Sequence, residues 1–194
     1  MEHKRICIKN TEILSDNWYT LKKVDFDYKL DNGKWQNQIR EVYDRGNGAA
    51  VFLYNKAKNT IILTRQFRMP VYLNGDPEGM LTEVCAGTLD GLKPEECIIK
   101  EIEEETGYKV PAVKKVFEAF MSPGAVTEIL HFFIAEYDKT MKIHEGGGNP
   151  EETENIEVLE LSFQEALNLL SKGLIKDAKT IMLLQYAQLH LDLE

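Results

Sequence analysis

Residues 100–108 read KEIEEETGY, and the placement of their charge decides what this element is for. Glu101, Glu103, Glu104 and Glu105 fall in the last two turns of a predicted helix that Gly107 stops. The macrodipole is negative at that end, so each acid there is unfavourable by roughly 0.3–1 kcal/mol. Glu101/Glu104 and Glu101/Glu105 are like charges three and four residues apart, which adds about 0.2–0.5 kcal/mol of repulsion per pair. A helix built only for stability would not concentrate acid in this way, and a bound divalent cation is the simplest offset. At about 100° per residue, Glu101, Glu104 and Glu105 share one edge of the apolar face marked by Ile98 and Ile102, while Lys100 and Glu103 point outward. A solvated acidic stripe is the ordinary reading of such a helix; the surrounding sequence argues against it.

Working outward, Pro94 suits the first helical position, so the acidic helix is expected to begin there. Ahead of it, GAAVFLYN and TIILTRQF read as a strand pair separated by the polar turn KAKN, and LTEVCAG as one short strand after a surface loop around Pro70 and NGDPEG. RICIK, WYTLKKVDFDYKL and KWQNQIREVYDR form an N-terminal β arm, with Asp31-Asn32-Gly33 as a hairpin turn. After the acidic helix, VKKVFEAF and LHFFIAEY read as strands around the loop MSPGAVTE, and HEGGGNPEETEN as a surface loop. IEVLEL is the last strand; Ser162 with Glu165 is a capping box opening the helix FQEALNLLSKG, and DAKTIMLLQYAQLHL is the final helix. Strands, helix, strands, helices in that order predict an α+β, three-layer sandwich with a mixed sheet. The arm, residues 1–43, is expected to be distinct from a main domain at 44–194.

The bulk numbers narrow the function. The 194 residues, 43% hydrophobic and 28% charged, suffice for one sizeable core. A net charge of −9 and a pI of about 5.1 argue against nucleic acid or an anionic membrane as partner. An anionic substrate would need metal ions or a local basic cluster to attract it. An apolar run near twenty residues is lacking, and MEHKRICIKN shows no secretory signal, so a cytoplasmic protein is expected. Cys7, Cys85 and Cys97 lack CxxC spacing and read as reduced, small apolar fillers. His3, His131, His144 and His190 show no metal-ligand spacing.

The segment from Gly87 to Tyr108 resembles the Nudix box, written as Gly, five spacers, Glu, seven spacers, then Arg-Glu-aliphatic-any-Glu-Glu-any-Gly-aliphatic. Glu101, Ile102, Glu104, Glu105 and Gly107 fit its second half in register. Lys100 stands where the box has Arg, keeping the cation without the bidentate fork; Gly87 lies one residue closer to the helix than in the consensus, and Lys93 occupies the place of the first Glu. Beyond the box, LSDNWYTL, REVYDRGNGA, RQFR, EVCAGTLD, MSPGAVTE, HFFIAEY and GGG followed by IEVLEL resemble the bacterial GDP-mannose pyrophosphatases.

This resemblance implies a Nudix-type α/β/α sandwich that hydrolyses the pyrophosphate of a nucleoside diphosphate sugar, GDP-mannose first, giving GMP and mannose 1-phosphate. An ADP-sugar pyrophosphatase, for instance one acting on ADP-ribose, is the alternative. A non-catalytic nucleotide-binding module is the second, favoured by the irregular first half of the box. Hard oxygen ligands suit Mg²⁺ or Mn²⁺: Glu101 and Glu105 lead, Glu104 follows, and by similarity the backbone carbonyl of Ala86 joins them. Glu154 matches an additional metal-binding carboxylate that doubles as the catalytic base, with Glu151 and Glu152 as loop alternatives; Glu104 and Glu105 are expected to share in catalysis. Arg68 is the leading phosphate clamp, while Arg65 either lies on the opposite strand face or pairs with the acidic helix. Trp18, Arg40, Glu41, Glu128 and Lys179 are the further substrate contacts the resemblance implies, Trp18 standing where the subgroup has Tyr. Arm residues that touch substrate imply packing across a partner subunit, hence a homodimer.

Overall fold

The computed structural model of the chain describes residues 5–149, 151 and 153–193. Its arm is an antiparallel three-stranded sheet of β1 (Ile6–Asp16), β2 (Thr20–Lys29) and β3 (Trp35–Asp44) in that spatial order. The Asp31-Asn32-Gly33 turn joins β2 to β3 as expected: Gly33 N–H donates to Leu30 O at 2.9 Å and Asn32 Oδ1 accepts from Lys34 N–H at 3.0 Å. β1 runs on through Asp16 instead of stopping after RICIK, pairing along β2 with irregularities at Ile8/Asn10 and Ile13/Ser15. As an exposed edge strand it carries no burial alternation, so its second half had no strand signal to read.

Residues opposite each other in an antiparallel pair share a face. The register Ile6–Tyr28–Gln36, Ile8–Phe26–Gln38 and Thr11–Val24–Arg40 therefore makes one apolar face that includes Arg40, while Lys23–Glu41 and Asp25–Ile39 lie on the other. The arm forms one compact unit with Phe120–Ile129. Tyr43 N–H donates to Ala125 O at 2.7 Å, and Ile129 N–H to Asn47 Oδ1 at 2.9 Å.

The second unit, Gly48–Ala119 with Leu130–Glu194, is built on a seven-stranded mixed sheet. β4 (Gly48–Asn55) and β5 (Thr60–Phe67) pair antiparallel, then α1 (Met69–Leu73) forms a short helix where only a loop was expected. LTEVCAG, expected as one strand, is divided: β6 (Met80–Glu83) pairs with β5, and β7 (Cys85–Thr88) crosses to pair with β4. The break falls at Val84, whose N–H donates to Thr180 Oγ1 at 2.8 Å instead of to a strand. After α2 (Pro94–Glu101) come β8 (Lys114–Phe120), β9 (Ile129–Glu136), β10 (Glu157–Ser162), α3 (Phe163–Ser171) and α4 (Ala178–His190). The sheet runs β10-β5-β4-β9-β8, with β4 and β9 parallel. The Ser162–Glu165 capping box opens α3 as expected.

β4 is buried on both sides, which is why it reads as a continuous apolar run. Ala49, Val51 and Leu53 pack with Ile62, Phe133, Ile98 and Ile102 on the α2 side. On the opposite side Phe52 meets Phe163 of α3 edge-on at 6.2 Å, and Leu183, Leu184 and Ala187 of α4 are buried. This is an α/β/α sandwich. Cys85 and Cys97 are buried fillers as expected, but Cys7 is exposed on β1, since the strand it occupies has no covered face there.

Candidate active site

α2 does not continue as a regular helix to Gly107. From Ile102 to Thr106 the turn widens into a π-helix, and Gly107 ends it at φ +78°. The Thr106 hydroxyl donates to Ile102 O at 2.5 Å, taking a carbonyl that a regular α-turn gives to a backbone N–H. The wider turn carries Glu105 inward until it is 1% exposed. Burial, together with the charges of Glu101 and Glu154 and against a hydrogen bond from the Cys85 thiol, pushes the Glu105 carboxyl up to about 8. Its Oε2 is buried with no hydrogen-bond partner among the described residues. A buried carboxylate oxygen left unpaired is costly, and a hard cation satisfies it.

The second half of the cradle is β7. A Cβ on Gly87 would overlap the Glu101 carboxylate, so only glycine there lets the Ala86–Gly87 backbone approach the helix. Carboxylate and carbonyl oxygens, the donors that the resemblance implies here, fit a divalent hard cation. Among the described residues no three His, Cys, Asp or Glu side chains form a ready-made cage.

Glu104 has a different occupation: Lys100 donates to its Oε2 at 2.8 Å. The cation at the Arg position of the box thus neutralises one of the crowded acids four residues on. Glu103 faces Lys109 at 3.6 Å. The Gly-rich segment is stitched to the π turn: Ile143 N–H donates to Gly107 O at 2.8 Å, Gly147 N–H to Glu105 O at 2.9 Å and Gly148 N–H to Glu104 O at 3.1 Å. These bonds satisfy carbonyls exposed at a helix end, and they bring Glu154 into the electrostatic neighbourhood of Glu105. Glu154 Oε2 accepts from Asn149 N–H at 2.9 Å. Glu151 donates its N–H to Asn149 Oδ1, and Glu152 lies outside the described residues.

Beside the carboxylates sits a cationic pair that shares one buried acid. Arg68 Nε and Nη2 donate to Glu83 Oε1 and Oε2 at 2.7 and 3.2 Å, and Lys179 Nζ donates to Glu83 Oε2 and, at 3.0 Å, to Asp177 Oδ1. Burial pushes the Glu83 carboxyl up, but Lys179 and Arg68 more than offset this and hold it below the usual carboxylate range. The charge of Arg68 also reaches Glu105. Arg65 bonds Glu78 at 3.2 Å and Glu157 at 3.5 Å, so of its two expected placements the pairing with the acidic helix is not the one made: β5 pairs with β10, and Arg65 stands opposite that strand's Glu157.

Glu83 and Asp177 were not among the site residues expected from the sequence, and Cys85 was expected there only as an apolar filler. The one available signal was a lone Glu inside the apolar run LTEVCAG, since an unpaired acid is rarely buried. Trp18, Arg40, Glu41 and Glu128 belong to the other compact unit. Trp18, 81% exposed, lies between β1 and β2 in tilted contact with Tyr19. Arg40 bonds Ile39 O and Gln38 Oε1. Glu128 lies 3.6 Å from Arg45 Nε.

Two family models match the chain: the GDP-mannose pyrophosphatase NudK N-terminal domain over residues 5–43 and the NUDIX domain over residues 44–184. A GDP-mannose pyrophosphatase of Pectobacterium atrosepticum is 59% identical over 94% of this chain and 93% of its own length. One of Yersinia enterocolitica is 58% identical over 93% of each. In fold, the chain resembles the crystal structure of an ADP compounds hydrolase at a TM-score of 0.71 and 20% identity, covering 97% of this chain and 95% of that one. With the NUDIX model spanning most of its length and these relatives matching it nearly end to end, the chain belongs to the Nudix hydrolase family.

Proposed function

We propose that the protein hydrolyses the pyrophosphate bond of GDP-mannose, giving GMP and mannose 1-phosphate, as a cytoplasmic homodimer that uses Mg²⁺ or Mn²⁺. The hydrolytic reading is supported above all by Glu105, a buried acid whose Oε2 has no hydrogen-bond partner among the described residues and which feels the charge of Glu101, itself packed against Gly87. The substrate reading rests on relatives of that name at 58–59% identity across nearly the whole chain.

Glu101, Glu105 and the Ala86 carbonyl would hold the ion, with Glu154 adding a further carboxylate. When bound there, a divalent cation supplies neutralisation of phosphate charge and activation of water. Arg68 and Lys179 orient the phosphates through directed N–H donors. Glu154 accepts the proton of the attacking water, and Glu105 shapes the field in which that proton leaves. Glu104, paired with Lys100, tempers the charge of the acidic helix. Trp18 stacks on the base, and Arg40, Glu41 and Glu128 supply polar contacts to the nucleotide and sugar.

The test is a substrate panel of GDP-mannose, ADP-ribose and ADP-glucose with Mg²⁺, read by chromatography of the products. GMP and mannose 1-phosphate from GDP-mannose are expected, at a kcat/KM well above that for either ADP compound. Preference for ADP-ribose reassigns the substrate, and absence of turnover on all three removes the enzymatic reading.

A further inference from the structure

We propose that Glu83, a residue that need touch neither substrate nor cation, is the positioning residue of the phosphate clamp: it fixes the direction of Arg68 and its spacing from the cation cradle. The inference rests on the nucleotide-sugar reading above and extends it.

Glu83 is 2% exposed and accepts from two cations at once. A buried ionic cluster of this kind is a poor source of stability, since well-packed apolar residues of similar volume often match or exceed it. Its presence calls for another reason. The bonds it makes are directional: Nε and Nη2 of Arg68 are taken on one edge of the guanidinium, which leaves the edge bearing Nη1 for a phosphate oxygen. Arg68 is 41% exposed in its side chain, whereas Glu83 and Lys179 lie deeper. The clamp therefore has a buried root and an open tip.

The root is itself immobilised from two sides. Thr64 Oγ1 of β5 donates to Glu83 O at 3.3 Å, and Val84 N–H donates to Thr180 Oγ1 at 2.8 Å. Thr180 is in turn bonded by Asp177, which caps α4 and also holds Lys179. The charges balance: Arg68 and Lys179 against Glu83 and Asp177. Such a quartet offers substrate aimed donors without a large net positive field, so the value of the clamp lies in orientation. Finally, Glu83 stands three residues before Ala86 in the same segment, about 10 Å of extended chain at roughly 3.3 Å per residue. One short stretch of backbone thus ties the clamp to the cradle.

The test is a double-mutant cycle between Glu83→Gln and Arg68→Ala, assayed on GDP-mannose with Mg²⁺ and accompanied by thermal melts. Glu83→Gln preserves shape but loses the charge. It is expected to lower kcat about 100-fold, the order of loss for a misplacement near 1 Å, with KM changed less than about threefold. In the Arg68→Ala background the same change should cost less than about threefold, because its effect passes through Arg68. A loss within threefold in the wild-type background, or an equal loss in both backgrounds, overturns the proposal. If Glu83→Gln does not fold, Glu83→Asp replaces it under the same criteria, and failure of both to fold assigns Glu83 to the fold alone and likewise overturns it. If the wild-type protein turns over no nucleotide sugar, the functional reading fails on its own. The cycle is then read by calorimetry with inorganic pyrophosphate and Mg²⁺, where the clamp still requires a loss of affinity of at least about tenfold that vanishes without Arg68.

Discussion

Glu105 carries a proton balance that can be measured without any substrate. Its carboxyl is raised from 4.5 to about 8, first by burial and then by Glu101 and Glu154. Between those values the folded protein holds a proton that the unfolded chain has released. Stability of the metal-free protein therefore falls as pH rises through that window, by at most about 1.4 kcal/mol per pH unit. In EDTA, the melting temperature should drop between about pH 5 and pH 8, and Glu105→Gln should flatten the slope. A divalent cation replaces that proton, so the gain in melting temperature on adding Mn²⁺ should grow with pH over the same range. A melting temperature in EDTA that does not fall would show that Glu105 is not held neutral. Glu105 could be singled out from the chain alone because its charge is misplaced within its own helix. For Glu83 the lone acid in an apolar run hints at burial alone, because the partners that explain it stand 15 and 96 residues away.

At the scale of elements, the π turn and its terminator hold the acids in place. Gly107 sits at φ +78° with the His144 carbonyl against the position a Cβ would take. Gly107→Ala thus combines backbone strain of about 1–3 kcal/mol with displacement of the Gly-rich segment. A drop of roughly 5–10 °C in melting temperature is expected for a chain of this size, whereas Gly124→Ala, with nothing near its Cβ, should melt as wild type does. Equal melting temperatures for the two would refute the docking role of Gly107. Gly87→Ala makes a sharper point, since its Cβ meets the Glu101 carboxylate: it should weaken Mn²⁺ binding by calorimetry about tenfold or more, within the range seen when groups supporting metal ligands are lost. Unchanged Mn²⁺ affinity would detach Gly87 from the cradle. Helix ends and strand pairs were legible here wherever period and caps agreed, as at Ser162 and at β4–β5. The π turn was not, because it depends on the Thr106 hydroxyl competing for one carbonyl, and the split at Val84 was not, because its cause is a threonine on α4.

For the molecule as a whole, the arm raises the question of what covers it. Ile6 and Ile8 of β1 are 54% and 64% exposed, and they share a face with Val24, Phe26, Tyr28 and Arg40. An apolar sheet face of this kind on a chain of net charge −9 is the kind of surface on which association is expected, and a second copy of the chain is its proposed occupant. Light scattering at micromolar concentration should then report a dimer. Ile8→Asp would place a charge in the face that the proposed dimer buries, a cost of several kcal/mol to association. Each 1.4 kcal/mol weakens the dimer tenfold, so the variant should run as a monomer at the same concentration. The Mn²⁺-dependent rise in melting temperature should survive in Ile8→Asp, because Glu101 and Glu105 belong to the other compact unit. Loss of that rise would mean that the substitution had damaged the fold, and a persistent dimer would mean that the subunits meet elsewhere. A monomer with intact metal response and depressed turnover of GDP-mannose would give the arm its proposed role, since only the contacts contributed by Arg40 and its neighbours would have been removed.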